Sequence, residues 1–510
     1  MGDVNQSRRL LALAGVLVGI AGLVTSQATV WLFKASNGPV SAVADAVGDL
    51  LAGGPAMDLG HLVGPTWDKR LLVMGVVAFL VGASAWLGTL AGRRPVLVDV
   101  AYFALAAIGF VSVTRLPNSS SASLVGVVVG LITWMVAYRV LTAPLLADKG
   151  PDDGAADEAT RRQFLKRAGI TVGVVAGAGL LGGFSSRKVR EVQKARRALN
   201  LAAGKGAVPD GVELGVRGVA PWRTPNEEFY LIDTAFSKPA IAPDEWRLRI
   251  HGMVENEITL TYDDLIKRAR TEDWITICCV SNEVGGDLIG NAYWSGFLIR
   301  DILAEAGIKE GATAVKQTSD DGWTCGTPIE ALTDDRNAML AVAMNGEPLP
   351  IEHGFPVRMI VPGLYGFVSA TKWLVDLEVT TFDDFSAYWT DRGWSAEGPV
   401  LTQSRIDVPR NGEETERGTV RIGGSAWAQH TGIEKVEFQV DGGSWQQADL
   451  GTVPDLDTWV QWSGTAEVGK GRHQVVVRAT DRSGYTQTSV RTDVIPSGAT
   501  GWHSIEFEAR

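Results

Sequence analysis

Hydrophobic positions are distributed along this chain on two scales. Up to about residue 185 they run together in long blocks. Beyond residue 205 they alternate with polar positions in short stretches separated by Gly, Pro, Asn and Asp. Four blocks reach the length of about 20 residues that a bilayer demands: roughly Leu10–Phe33, Leu71–Gly92, Val96–Thr114 and Leu124–Val140. Arg8 and Arg9 precede the first, Arg93 and Arg94 separate the second from the third, and Arg139 ends the fourth. Basic flanks stay cytoplasmic. The pattern therefore predicts an all-α transmembrane bundle with the N-terminus, the 93–94 turn and the 141–167 loop inside. The loop of residues 34–69, with Asp45, Asp49 and Asp58, falls outside. Buried helices of a large soluble core are the alternative, and they would have to match those flanks by accident.

A fifth apolar stretch, Ala168–Phe184, is shorter and richer in Gly. It follows Thr160-Arg161-Arg162-Gln163-Phe164-Leu165-Lys166. Paired Arg, then Phe-Leu-Lys and a weakly hydrophobic run, resembles a twin-arginine export signal placed inside the chain. The plainer alternative is a basic flank for a fifth helix. Both place residues 190–510 on the extracytoplasmic side. An uncleaved anchor is expected, followed by a surface helix over Arg187–Leu201.

The second half reads as a soluble protein. Trp246–Ile250 alternates like a strand, and Thr261–Arg270 reads as a helix capped by Thr261 with Asp263 and Asp264 in its first turn. Phe297–Gly307 reads as a helix, Pro328–Leu332 and Met339–Met344 as short buried elements. Val420–Gly424, Val436–Gly443 and Gln474–Ala479 alternate again, and Asp441-Gly442 is a hairpin turn signal. The net charge of −11 argues against a nucleic-acid partner, which needs clustered Lys and Arg. His61 is the only histidine before residue 200, there is no Cys-x-x-Cys-His, and the cysteines number three. No haem or iron–sulfur cluster is expected from that inventory.

Two of the cysteines fall in Ile277-Cys278-Cys279-Val280-Ser281-Asn282, the third being Cys325. Apolar residues precede this segment and Glu283-Val284-Gly285-Gly286-Asp287 follows. The pattern predicts a strand that delivers a thiol to a loop mouth, where a thiolate suits a soft metal or nucleophilic attack. Adjacent cysteines rarely bridge each other. Downstream, His353-Gly354-Phe355-Pro356-Val357-Arg358, Pro362-Gly363 and Thr371-Lys372-Trp373 set His, Arg and Lys on Gly- and Pro-rich turns. Such a cluster suits a polyanion, because Arg forks onto phosphate and glycine N–H groups add donors. An ordinary surface salt-bridge network is the alternative.

On these residues the stretch from about Thr224 to Trp394 resembles the sulfite-oxidase family of molybdopterin enzymes, in a membrane-anchored, actinobacterial-type form. Three pieces carry the resemblance: Cys279-Val280-Ser281-Asn282, His353–Arg358 with Pro362-Gly363, and Lys372-Trp373. It implies an α+β molybdopterin-binding domain and a single molybdenum–molybdopterin cofactor. Cys279 would be the metal ligand, with Cys278 packed behind the strand. Asn226, Phe229, Tyr230 and Asp320 would touch the pterin, and His353, Arg358, Thr371 and Lys372 would cradle pterin and phosphate. Gly398–Arg510 would be the family's all-β immunoglobulin-like domain, which often dimerises; a generic β-sandwich spacer is the alternative. The expected organisation is a membrane domain at 1–190, a linker at 191–215, a catalytic domain at 216–397 and the sandwich at 398–510.

The resemblance also has gaps. Where the family's oxyanion-binding arginines would sit, this chain has Ile232, Glu283 and Val284, and where its active-site tyrosine would fall it has Trp394. Losing a charged hydrogen bond costs roughly 1.5–3 kcal/mol. The expectation is an enzyme that transfers an oxygen atom at molybdenum, not on sulfite but on a neutral or apolar-faced small molecule lined by Trp394 and Trp323. A separate electron-transfer partner or a quinone would complete the cycle. The direction is open, since sulfoxide-type reductases share the fold, and a scaffold built on a decayed catalytic fold is the rival from another class.

Overall fold

The structure is a computed structural model that describes residues 2–33, 38–51, 65–115, 121–146, 154–201, 203–235 and 238–510. His61 and Asp58 lie outside the described residues. The chain divides into two compact units, Met1–Glu191 with Thr234–Lys238, and Val192–Asp233 with Pro239–Arg510.

The first unit is helical: α1 Gly2–Leu32, α2 Pro39–Leu51, α3 Pro65–Leu90, α4 Pro95–Arg115, α5 Ser121–Leu146 and α6 Gly154–Ala198, which runs on into the second unit. Among the described residues four helices are long and apolar enough to cross a membrane, through Arg8–Leu32, Leu71–Leu90, Pro95–Arg115 and Ser121–Leu146. They share a core of Leu11, Ala14 and Val18 on α1, Leu87 on α3, Tyr102 on α4, and Trp134 and Leu141 on α5. Met74, Phe79, Phe103, Ile108, Ile132 and Val136 point outward and are exposed. An apolar belt of that extent is costly in water and natural in lipid, so the bundle is compatible with membrane anchoring.

Three expectations are corrected here. The 34–69 segment is not all loop, because Pro39–Leu51 forms α2. The loop expected at 141–167 is largely helix, since α5 continues to Leu146 and α6 begins at Gly154. The separate anchor and surface helices are one, α6. No proline interrupts Ala168–Ala198, so the helix continues through the change from Gly-rich to Arg- and Lys-rich composition. Within α6 the Phe164 ring of the paired-arginine motif is buried in the helical core, while Arg161 and Arg162 are exposed.

The second unit begins with ten strands: β1 Arg247–Gly252, β2 Ile258–Thr261, β3 Thr271–Cys278, β4 Ile289–Leu298, β5 Ala314–Ser319, β6 Thr324–Pro328, β7 Met339–Met344, β8 Glu347–Pro348, β9 Arg358–Ile360 and β10 Leu374–Thr380. They form two sheets, β2-β1-β10-β5-β6 and β3-β4-β7-β8 with β9 on β7. Three short helices cap them, α7 Tyr262–Ile266, α8 Ile299–Ala306 and α9 Glu330–Thr333. Thr261 caps α7 through a reciprocal pair of bonds with Asp264. The helix stops at Ile266, short of the expected Arg270.

Nine further strands follow: β11 Gln403–Val408, β12 Glu414–Thr415, β13 Gly418–Trp427, β14 Ile433–Val440, β15 Gln446–Gln447, β16 Asp449–Leu450, β17 Val460–Val468, β18 Gly471–Asp481 and β19 His503–Ala509. The sheets β11-β13-β17-β16 and β12-β19-β18-β14-β15 enclose one core, with Ile422 and Trp462 from the first meeting Val436, Phe438, Val477 and Phe507 from the second. Asp441 and Gly442 turn β14 into β15 with φ of 52° and 68°, the left-handed pair that the sequence signal calls for.

Candidate active site

Strand β3 ends at Cys278, and Cys279 is the first residue of the loop beyond it. β3 is buried over its second half because β4 pairs along its whole length, from Thr271–Gly296 to Cys278–Ile289. The loop then closes on itself. Cys279 N–H donates to Leu288 O at 2.9 Å, Asn282 N–H donates to Cys279 O at 3.1 Å, and Leu288 N–H donates to Asn282 Oδ1 at 2.9 Å. Cys278 is 1% exposed with its thiol turned to the Cys279 carbonyl, whereas Cys279 keeps 8%. Cys279 Sγ lies 2.9 Å from Ser281 Oγ. Burial pushes its thiol pKa up, while Ser281 and the charge of Lys372 pull it down. All three cysteines are free thiols.

The basic turns converge on the same place. Gly354, at φ 108°, lets the chain fold back so tightly that a Cβ there would lie 3.0 Å from both Arg358 Cβ and Lys372 Cα. His353 is 1% exposed, and its Nε2 lies 3.0 Å from Asn226 O. A carbonyl only accepts, so Nε2 carries the proton and Nδ1 presents a lone pair. Burial, Lys372 and Arg358 hold the ring neutral, with its pKa lowered to about 3. Arg358 donates to His353 O at 3.2 Å and Ala370 O at 3.3 Å, and its guanidinium lies 5.2 Å over the Trp294 ring. It is 3% exposed and pairs with no carboxylate among the described residues; burial lowers its pKa to about 10. Lys372 pairs with Asp233 at 3.0 Å, both side chains nearly buried.

The other expected residues fall around this cradle. Phe229 stands edge-on to His353 at 5.7 Å and stacks on Tyr230 at 5.3 Å. Burial raises the Tyr230 hydroxyl, followed by the fields of Cys279 and Cys278. The Asn226 side chain is held by Asn345 at 2.8 Å and Met344 O at 3.2 Å, so it shapes the loop, and its carbonyl orients His353. The Thr371 hydroxyl faces Cys325 Sγ at 3.3 Å inside the core. Asp320 is exposed at the β5–β6 turn, its N–H bonded to Trp373 O at 2.9 Å. Trp323 is half-buried on that turn.

The structure places Trp394 against Phe367 and Trp389. A Cβ on Gly366 would lie 3.7 Å from Cys278 O and 3.8 Å from Tyr230 Oη. The next residue, Phe367, has its ring 5.9 Å from Trp394, which lies 6.1 Å from Trp389. Of the positions that replace oxyanion arginines, Ile232 is half-buried, Val284 buried and Glu283 exposed. Sequence reasoning missed three contributors: Asp233, Ser281, and Tyr365, whose buried hydroxyl accepts from Leu401 N–H at 3.3 Å. Asp233 and Ser281 lay inside segments already singled out, and a short acid or hydroxyl beside a basic or thiol motif was the available signal. A second group, Asp334, Asp335 and His430, gathers within 4.8 Å, but Asp334 is already clamped by Arg336 at 2.7 Å.

These residues fit a phosphorylated pterin. A buried lone charge is expensive without a counter-ion, and Arg358 Nε and His353 Nδ1 are both buried with no hydrogen-bond partner. An anionic ligand would satisfy the first, and a ring N–H the second.

The comparisons with known proteins agree. The family described as "Oxidoreductase molybdopterin binding domain" matches residues 235–389. The uncharacterized oxidoreductase YuiH of Bacillus subtilis (strain 168) is 34% identical over 162 residues, covering 32% of this chain and 78% of the relative. Mitochondrial sulfite oxidase of Homo sapiens is 30% identical over 307 residues, 51% of this chain and 56% of the human protein. The chain belongs to the sulfite-oxidase family. The matched domain is of the molybdopterin-binding oxidoreductase type. Nitrate reductase [NADH] 1 of Oryza sativa subsp. japonica is 28% identical over 306 residues, 48% of this chain and 33% of that one. The chain spans about half the length of the sulfite oxidases it matches. The crystal structure of the sulfane dehydrogenase SoxCD from Paracoccus pantotrophus shares the fold, with a TM-score of 0.50 at 24% identity over 56% of this chain and 81% of that one.

Proposed function

We propose that this family member is a membrane-anchored molybdenum oxidoreductase whose catalytic domain faces away from the cytoplasm. Cys279 supplies the protein's thiolate to the metal. His353, Arg358 and Lys372 hold the phosphorylated pterin, with Asn226, Phe229, Tyr230, Asp320 and Thr371 shaping its seat. When bound, the molybdenum cofactor supplies a centre that exchanges an oxygen atom and cycles by two electrons. The chain's own residues do the rest. The Ser281 hydroxyl beside the Cys279 sulfur favours its ionised form, neutral His353 offers an acceptor, and Arg358 offers an uncompensated charge. That buried Arg358, with no carboxylate partner among the described residues and its Nε unsatisfied, is the observation that carries the reading.

The substrate is taken as a small neutral or apolar-faced molecule admitted beside Trp394. Ile232 and Val284 offer an oxyanion no fork, and Glu283 repels it. A separate electron carrier or a membrane quinone exchanges electrons with the site. The paired-arginine motif at Arg161-Arg162 directs export, and residues 398–510 form an immunoglobulin-like domain suited to a homodimer.

The test is elemental and pterin analysis of the intact chain. One molybdenum and one pterin per chain are expected, with Cys279→Ser losing activity and most of the metal. Full metal and full activity in that variant would overturn the assignment. Assays over sulfoxides, N-oxides and sulfite should find sulfite the poorest substrate.

A further inference from the structure

The loop after Cys279 is closed internally by Asn282, but one side of it rests on the C-terminal β-sheets. Arg405, on β11, donates through Nη1 to Gly286 O at 2.9 Å. Its guanidinium is in turn fixed by Asp407 Oδ1 at 2.7 Å, with its side chain only 9% exposed. Asp407 Oδ2 takes Ala220 N–H at 3.1 Å, so the carboxylate is itself held on both oxygens. The register of β11 against β13 shifts between Ile406 and Val408. A bulge of that kind re-aims side chains and is common beside active sites.

A second group from the same sheets presses on the loop one residue earlier. Gly285 has φ 82°, and a Cβ there would lie 2.3 Å from the His503 ring. The His503 ring is locked by Ile406 N–H, which donates to Nδ1 at 3.0 Å. Gly286 also abuts Asn282 Oδ1, where a Cβ would lie 2.5 Å away. A continuous path therefore runs from Arg405 to Gly286, to Asn282, and by the Asn282 N–H to the Cys279 carbonyl.

We infer that Arg405 is a positioning residue for Cys279, acting from the C-terminal domain through Gly286 and Asn282. Its consequence for turnover rests on the proposed role of Cys279, but the clamp itself does not. A site on a loop is less rigid than one on a strand, and a displacement of about 1 Å costs up to ~100-fold in rate. The C-terminal sheets thus serve the reaction as well as the fold.

The experiment uses the full chain in detergent, as wild type, Arg405→Lys, Arg405→Met and Arg478→Met. Arg478 is the control, a cation of the opposite sheet that pairs with Glu437 at 3.0 Å and lies 4.0 Å over the Trp445 ring. The first readout is the rate of iodoacetamide alkylation of Cys279 in cofactor-free protein, assigned by tandem mass spectrometry. Losing a charged hydrogen bond should open the loop and speed alkylation by about tenfold in Arg405→Met, less in Arg405→Lys, and not in Arg478→Met. The second is the electron paramagnetic resonance signature of the loaded enzyme, which should shift or broaden in both Arg405 variants. Unchanged alkylation and an unchanged signature in a folded Arg405 variant overturn the inference, as does equal acceleration in Arg478→Met. Should Arg405→Met not fold, Arg405→Lys decides. Wild type found without molybdenum would count against the proposed function, while the alkylation rates would still decide the clamp.

Discussion

His353 gives its Nε2 proton to the Asn226 carbonyl at 3.0 Å across 127 residues of sequence. The bond fixes the tautomer, and burial with two nearby cations fixes the charge, holding the pKa at about 3 against an ordinary 6.5. In the unfolded chain the ring takes up a proton below pH 6.5, and in the folded chain it does so only near 3. The unfolded state therefore binds more protons between those values, so stability falls as pH drops through that window, by up to about 1.4 kcal/mol per pH unit for one group. The thermal unfolding midpoint of cofactor-free protein should decline from pH 6.5 to pH 4. His353→Gln should flatten that decline; an unchanged slope would show that His353 is not the group responsible.

Ser281 Oγ lies 2.9 Å from the Cys279 sulfur. Ser281→Ala removes a donor that favours the thiolate, worth roughly 1.5–3 kcal/mol when the acceptor is charged. The pH midpoint of Cys279 alkylation in cofactor-free protein should move upward, and metal retention should fall by about tenfold or more. Ser281→Thr should restore both if the hydroxyl is what matters.

How far the sequence reveals such details depends on how local they are. Cys279 was legible because an apolar run ending in Glu283-Val284-Gly285-Gly286-Asp287 can only be a strand running into a loop. The Asp441-Gly442 turn was legible for the same reason, two left-handed positions in a row. Helix α2 was missed because Asp45 and Asp49 read as loop residues, although a spacing of four suits a helix as well as a loop. The continuity of α6 was missed because a change in composition was taken for a change in structure. Asn226–Asn345 and Arg405–Gly286 join residues 119 apart. Neither residue of such a pair carries a mark of the other, so only the assembled sheets reveal them.

The Lys372–Asp233 pair offers a stability test inside the cradle. Both side chains are about nine-tenths buried and the contact is 3.0 Å. Removing one partner of a buried pair leaves an uncompensated charge and costs roughly 3–5 kcal/mol, whereas replacing both can be nearly neutral. Asp233→Asn should lower the denaturant midpoint markedly. Asp233→Asn with Lys372→Met should recover much of that stability while still failing to retain pterin. If the double variant is as unstable as the single one, the ion pair is not the source of the loss.

The helical bundle makes a separate prediction, because α1 and α3 meet through glycines. A Cβ on Gly15 would lie 2.1 Å from Ser84 O, and one on Gly88 would lie 2.2 Å from Leu11 O. Gly15 and Gly19 on α1 face Ser84 and Gly88 on α3, small residues four apart on both sides, which is how helices approach closely in lipid. The obstructing atoms are backbone and cannot swing aside. Gly15→Ile or Gly88→Ile should therefore force the helices apart, at a cost at the upper end of the roughly 1–3 kcal/mol typical of overpacking or beyond it. Gly82 lies on the same α3 with nothing within 4 Å of its would-be Cβ. Gly82→Ile adds the same side chain to the same helix and should be tolerated, a contrast that propensity alone cannot produce. Thermal loss of helical circular dichroism in detergent reads the difference: an early transition is expected for the Gly15 and Gly88 variants and a wild-type one for Gly82→Ile. Equal transitions in all three would mean that α1 and α3 do not pack along this seam.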